Sequence, residues 1–148
     1  MVASKWADNA FDGEGARLSG GRWNSKGVSL VYLASSLALA ALELLVHIDY
    51  EQALREHIAI SVTFESDLVL SVKPQDLPAT DSRMGAVAKT RALGDAWVRS
   101  EASVLLKVPS IVVPAEDNYL FNPKHPGAAE LSIGDAEVFR YDPRLLKG

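Results

Sequence analysis

The sequence predicts a single mixed domain of the α/β (α+β) class, and three observations carry that reading. The chain has 148 residues, 48% of them hydrophobic and 23% charged, which is enough apolar material for one core and little for a second. β-Branched and aromatic runs recur at 28–34, 57–64 and 68–72. Helix-forming runs alternate with them, at 37–46 and again at 84–100.

Taken in order, the first 27 residues are rich in Gly, Asn, Asp and Ser and show little periodicity, so they read as loop with room for a short strand or turn. A loop of that length in a compact domain suits a ligand-binding rim. Val28 to Ala34 follows Lys26-Gly27 and reads as a strand, and Ser35 or Ser36 then offers an N-cap to a helix over Leu37 to Val46. His57 to Phe64 and Leu68 to Val72 read as strands, and Pro74 to Asp81 is rich in turn formers. Ser103 to Leu106 and Ser110 to Val113 read as strand pieces interrupted by Pro109 and ended by Pro114. Glu137 to Tyr141 reads as a last strand, after which Asp142-Pro143 opens a helical turn.

Composition removes several function classes. A net charge of −4 argues against direct nucleic-acid binding, which needs a basic patch on the protein. With no cysteine there is no disulfide, no thiolate nucleophile and no Cys-based zinc site. The N-terminal residues lack the charge and apolar pattern of a signal peptide, and no apolar run is long enough to span a bilayer. The expectation is a cytoplasmic protein with no membrane contact.

One charge stands out. In LALAALELLVH the only carboxylate is Glu43, and at 3.6 residues per turn it shares a stripe with Ser36, Ala40 and His47. Leu37, Leu39, Leu42, Leu44, Leu45 and Val46 surround that stripe. An isolated buried carboxylate is costly, so Glu43 either faces water or has a cationic partner, for which Arg22 is the nearest candidate. Familiar motifs do not account for it. GEGARL at 13–18 lacks the third glycine and the preceding strand of a dinucleotide fingerprint, and there is no P-loop, HExxH or GxSxG. His47 and Glu43 are one turn apart, but no third ligand has recognisable spacing, so no metal site is expected. Asn118, Asn122 and His125 in DNYLFNPKHPG are either turn residues or the lining of a polar pocket.

FDGEGARLSGGRWNSKG, VYLASSLALAALELLVH, LKVPSIVVPAEDNYLFNPKHP and FRYDPRLL together resemble, in order and over nearly the whole chain, the RES-domain family, named for its Arg, Glu and Ser residues. The resemblance implies a central mixed sheet similar to that of ADP-ribosyltransferase toxins. It also implies a toxin of a type II toxin-antitoxin system that consumes NAD, paired with an Xre-type helix-turn-helix antitoxin that blocks the active site. The family's arginine, tyrosine and glutamate fall on Arg22, Tyr32 and Glu43, and its serine best on Ser110, with Ser103 as competitor. Family members usually begin with a short extra strand bearing an arginine, whereas Met1 here stands just before KWADNAFDG, so that edge strand is expected to be missing.

The chemistry makes such a set intelligible. Nicotinamide leaves NAD as a neutral base, so no general acid is required, and one fixed carboxylate suffices to stabilise the oxocarbenium-like charge on the ribose. That role is expected of Glu43. Arg22 offers a fork of donors to a pyrophosphate or an incoming phosphate, and Gly20 and Gly21 allow close backbone approach. Trp23, Asn24, Asn118 and Asn122 are the further residues expected near the dinucleotide. Tyr32 would stack on the nicotinamide and Ser110 would bond the carboxamide or ribose; without the resemblance, Tyr32 reads as a core aromatic. NAD is thus the expected substrate, phosphate a possible co-substrate, and the products either those of a phosphorylase or of a glycohydrolase. Transfer to a protein and an inactive antitoxin-binding module are the alternatives.

Overall fold

A computed structural model describes residues 1–77 and 83–146. The polar N-terminal region contains short elements: β1 (Val2–Ala3), a 3-10 segment over Ser4–Asn9 and α1 (Glu14–Ser19). Periodicity cannot reveal a six-residue helix. Local bonds fix it instead: Asp12 accepts the Glu14 N–H at 2.7 Å, and the Gly20 N–H closes the far end on the Ala16 carbonyl at 2.8 Å. β1 pairs antiparallel with His57 and Ile58, and it carries no arginine.

The apolar run at 28–34 enters a sheet only as β2 (Val31–Ala34), because the Val28 carbonyl is taken by the Asn24 side chain at 3.0 Å. α2 (Leu37–Leu45) starts at Ser36, whose Oγ accepts the Leu39 N–H at 3.1 Å. Of its apolar residues only Leu39 is fully buried, while Leu37, Leu42 and Val46 lie exposed. A capping box of Asp49 and Gln52 opens α3 (Tyr50–Ala53), and β3 (His57–Thr63) and β4 (Val69–Ser71) follow. Residues 78–81 of the turn-rich stretch lie outside the described residues. α4 (Arg83–Ser100) leads to β5 (Leu105–Pro109).

Two expectations change here. Ser110–Val113 is not a strand. The Ser110 N–H bonds the Glu116 carbonyl at 3.0 Å and the Glu116 N–H returns to Val113 at 2.9 Å, so the chain between Pro109 and Pro114 is a tight loop. The missing strand is β6 (Asp117–Phe121), hidden in a stretch whose Asn, Asp and Pro suggested turns. β7 (Ser132–Phe139) begins five residues before the expected 137, and a 3-10 turn over Pro143–Leu146 ends the described chain.

The strands form two sheets. One is antiparallel, in the order β1-β3-β7; the other, β2-β6-β5-β4, is mixed because β4 runs parallel to β5. The domain is therefore mixed α/β as expected. Alternation gives the mixed sheet two buried faces. Leu106, Val108 and Leu120 pack with Trp23, Leu30 and Trp97 on the α4 side, and Leu105, Phe121, Val31 and Leu33 pack toward Val62 of the other sheet and Phe64 just after it. No helix among the described residues is long and apolar enough to cross a membrane.

Candidate active site

Glu43 sits on the second turn of α2 and is half-buried. It pairs with no cation among the described residues, so the suggested Arg22 partnership does not form. Its Oε1 instead accepts from Ser110 Oγ at 2.8 Å and from Asn118 Nδ2 at 2.5 Å, both charge-assisted. No hydrogen bond engages Oε2 there. The fold brings these three groups together simply. Asn118 lies on central strand β6, opposite Ala34 of β2 and Val108 of β5, and Ser110 follows β5 directly. α2 is tied to the same loop by Ser35 and Ser36, whose hydroxyls donate to Glu116 at 3.3 and 3.1 Å.

Ser110 is buried; its one O–H donates to Glu43 and its oxygen accepts the Val113 N–H at 2.9 Å. The donor is thus committed to Glu43. Asn118 Oδ1 is buried without a partner. Flipping the amide would set that oxygen against the carboxylate, so the orphaned acceptor is the smaller penalty. Ser103, the competing serine, donates to the Leu105 carbonyl at 2.8 Å and receives Trp97 Nε1 at 2.9 Å, away from Glu43.

The second wall is the loop 20–25, and α4 holds it by the backbone. Thr90 Oγ1 donates to the Arg22 carbonyl at 2.7 Å, Arg91 Nε to the Gly21 carbonyl at 2.6 Å, and Asp95 accepts the Ser25 N–H at 2.9 Å. The loop lies so close to the helix that a Cβ on Gly94 would fall 1.9 Å from the Trp23 carbonyl oxygen. The Arg22 side chain is left exposed. Sequence inspection gave Thr90, Arg91, Gly94 and Asp95 no weight; the one visible signal was a polar face on α4 at positions three to five apart.

Tyr32 ties β2 to that loop. Its hydroxyl donates to Asn24 Oδ1 at 2.9 Å and accepts the Trp23 N–H at 3.1 Å, while the residue remains 40% exposed, so a ring surface faces outward from an anchored tip. Burial of the hydroxyl raises the phenol pKa above 10.0, opposed by the Trp23 N–H and by the nearby guanidiniums of Arg91 and Arg22. The phenol is thereby kept protonated rather than available as a phenolate base. A Cβ on Gly21 would lie 2.3 Å from that hydroxyl oxygen, which explains the second glycine; Gly20 has φ of 70° as it ends α1.

Other expected residues are placed elsewhere. Trp23 is in the core and Asn24 is fully buried, its Nδ2 donating to the carbonyls of Ala16 and Val28 at 2.8 and 3.0 Å. Both shape the loop from inside. Asn122 is buried four residues beyond Asn118, about 13 Å at strand rise, and accepts the Lys124 N–H at 3.1 Å. His125 accepts the Gly127 N–H on Nδ1 and therefore donates from Nε2 to the Glu101 carbonyl at 3.0 Å, a turn residue. Asn118, Asn122 and His125 thus form no common pocket. Among the described residues no group of His, Asp and Glu is arranged to hold a metal.

These observations define a two-sheet α/β domain with one braced carboxylate on α2 and an arginine-bearing loop held by α4. The chain belongs to the RES domain family, whose sequence model matches residues 2–142. It is 40% identical over 146 residues to Toxin Res of Yersinia enterocolitica, covering 98% of this chain and 96% of that protein. It is 36% identical over 140 residues to the Prs ADP-ribosylating toxin of a Sphingobium strain, covering 93% and 87%. A chain in the crystal structure of the M. tuberculosis MbcT-MbcA toxin-antitoxin complex shares the fold, with a TM-score of 0.61 at 20% identity over 90% of this chain and 78% of that one.

Proposed function

We propose that this chain is the toxin of a toxin-antitoxin pair and that it cleaves the nicotinamide-ribose bond of NAD, with phosphate or water as acceptor. The observation that carries this reading is the asymmetry of Glu43, whose Oε1 is held by Ser110 and Asn118 while Oε2 has no hydrogen bond among the described residues. A carboxylate fixed on one side has its orientation set before the ligand arrives. In the reaction the bond from the pyridinium nitrogen to the anomeric carbon breaks with its electron pair on nitrogen. Glu43 Oε2 stabilises the positive charge left on the ribose, neutral nicotinamide departs, and a phosphate or water oxygen then bonds that carbon and releases its proton to bulk water. Arg22 binds the pyrophosphate and the exposed Tyr32 ring stacks on the nicotinamide.

Relatives named as toxins, and a fold shared with a chain of a toxin-antitoxin complex, support the toxin reading and an antitoxin partner. The partner proposed is an Xre-type helix-turn-helix protein that inserts a segment into the cleft and excludes NAD. Simultaneous tight binding of NAD and antitoxin would contradict that arrangement. Expression of the toxin alone is expected to arrest growth with a fall in cellular NAD. A second reading, transfer of ADP-ribose to a protein, is favoured by the relative named an ADP-ribosylating toxin. Arrested cells with unchanged NAD and newly modified protein would establish that alternative.

A further inference from the structure

We propose that Arg91 of α4 joins Arg22 in an oxyanion seat that grips a phosphate group against the 20–22 backbone, an inference that rests on the NAD reading above. Arg91 Nε donates to the Gly21 carbonyl at 2.6 Å, which fixes its guanidinium against the loop carrying Arg22. That bond uses one of the five N–H groups of the fork. Among the described residues no hydrogen bond engages the rest, and neither Arg91 nor Arg22 forms an ion pair, whereas Arg17, Arg140 and Arg144 each lie on a carboxylate.

Arg55 and Arg99 are also without an ion pair there. Arg22 and Arg91 are set apart by sharing one loop, since Arg91 is bonded to the carbonyl of Gly21, the residue before Arg22. Both guanidiniums oppose the rise of the Tyr32 pKa, and the buried Asp95 carboxylate adds to it. Asp95 is engaged by the Ser25 N–H and forms no ion pair with either arginine among the described residues, so the two like charges repel and an anion between them relieves the repulsion. Planar forks match phosphate oxygens in pairs, and a diphosphate offers two such groups. The same seat suits the diphosphate of NAD and an inorganic phosphate acting as acceptor.

Calorimetric titration of the full chain with ADP-ribose, inorganic phosphate and nicotinamide separates these sources, using wild type, Arg91→Gln and Arg91→Lys, each with a melting curve. Arg91→Gln is expected to weaken ADP-ribose binding about tenfold or more, the loss of a charge-assisted contact, with nicotinamide binding unchanged and Arg91→Lys recovering part of the loss. If the loss falls on inorganic phosphate alone, the seat stands and its occupant is the acceptor. Should Arg91→Gln not fold, Arg91→Lys carries the test, with a loss for either anion and none for nicotinamide. Unchanged anion binding, or an equal loss for all three ligands, would overturn the seat and leave Arg91 as a brace for Gly21. Wild type that binds neither anion would also overturn it. Wild type that binds anions but leaves NAD intact would instead overturn the NAD reading.

Discussion

The two walls of the cleft are built by opposite means. On one, side chains hold a side chain: Ser110 and Asn118 grip a single oxygen of Glu43. On the other, the helix α4 holds a backbone: Thr90, Arg91 and Asp95 bond main-chain atoms of residues 21, 22 and 25, and Gly94 lets the loop approach. The first wall orients a charge and the second sets the path of a loop. Substitutions in the first should therefore act on the chemical step, and substitutions in the second on ligand affinity and stability.

That contrast can be broken at several points. The largest expected effect is at Glu43 itself: Glu43→Gln keeps the two donors' acceptor oxygen and removes the charge, so kcat should fall on the order of a hundred- to a thousandfold, about 3 to 4 kcal/mol, with little change in NAD affinity. Next is Ser110→Ala, which removes one charge-assisted bond and frees the carboxylate to swing. A loss of about 1.5 to 3 kcal/mol in kcat is expected with KM nearly constant, and a rise in KM alone would place Ser110 on the ligand instead.

Gly94→Ala tests the second wall. The added methyl would overlap the Trp23 carbonyl, so a stability loss of about 1 to 3 kcal/mol is expected together with a raised KM; a selective loss of kcat at unchanged melting temperature would erase the distinction between the walls. The smallest effect concerns pH. Tyr32 has a raised pKa, so the folded state retains a proton that the unfolded chain releases near its ordinary value of 10.0. Stability should hold below that pH and decline as pH rises from there through the folded value. Tyr32→Phe should flatten part of that decline in melting curves, with Tyr141, also raised by burial, supplying the remainder.

The first wall was the more legible in the sequence. A strand followed by an N-cap and an apolar helix is a local pattern, and a lone carboxylate within it is conspicuous, so a strand ending at Ala34, a cap at Ser35 or Ser36 and Glu43 on the helix were legible without knowing the fold. Its partners were harder, because Asn118 sits on β6, whose Asp-Asn start and following Asn-Pro disguise a central strand. Only pairing with β2 and β5 on both sides makes it one. The second wall was almost invisible. The bonds from α4 to the loop link residues 68 to 70 positions apart, and nothing within either segment announces the other. The same separation explains Trp23 and Asn24, whose burial depends on where α4 and β2 pass.

The proposed reaction is cleavage of the nicotinamide-ribose bond of NAD with Glu43 as the stabilising carboxylate. The most direct measurement is incubation of the purified chain with NAD, in phosphate and in phosphate-free buffer, with products identified by mass and Glu43→Gln run alongside. Release of nicotinamide is predicted, accompanied by ADP-ribose in the absence of phosphate and by ADP-ribose carrying phosphate on its anomeric carbon in its presence, with both nearly abolished in the variant. Intact NAD in both buffers, or equal nicotinamide release by wild type and variant, would contradict it.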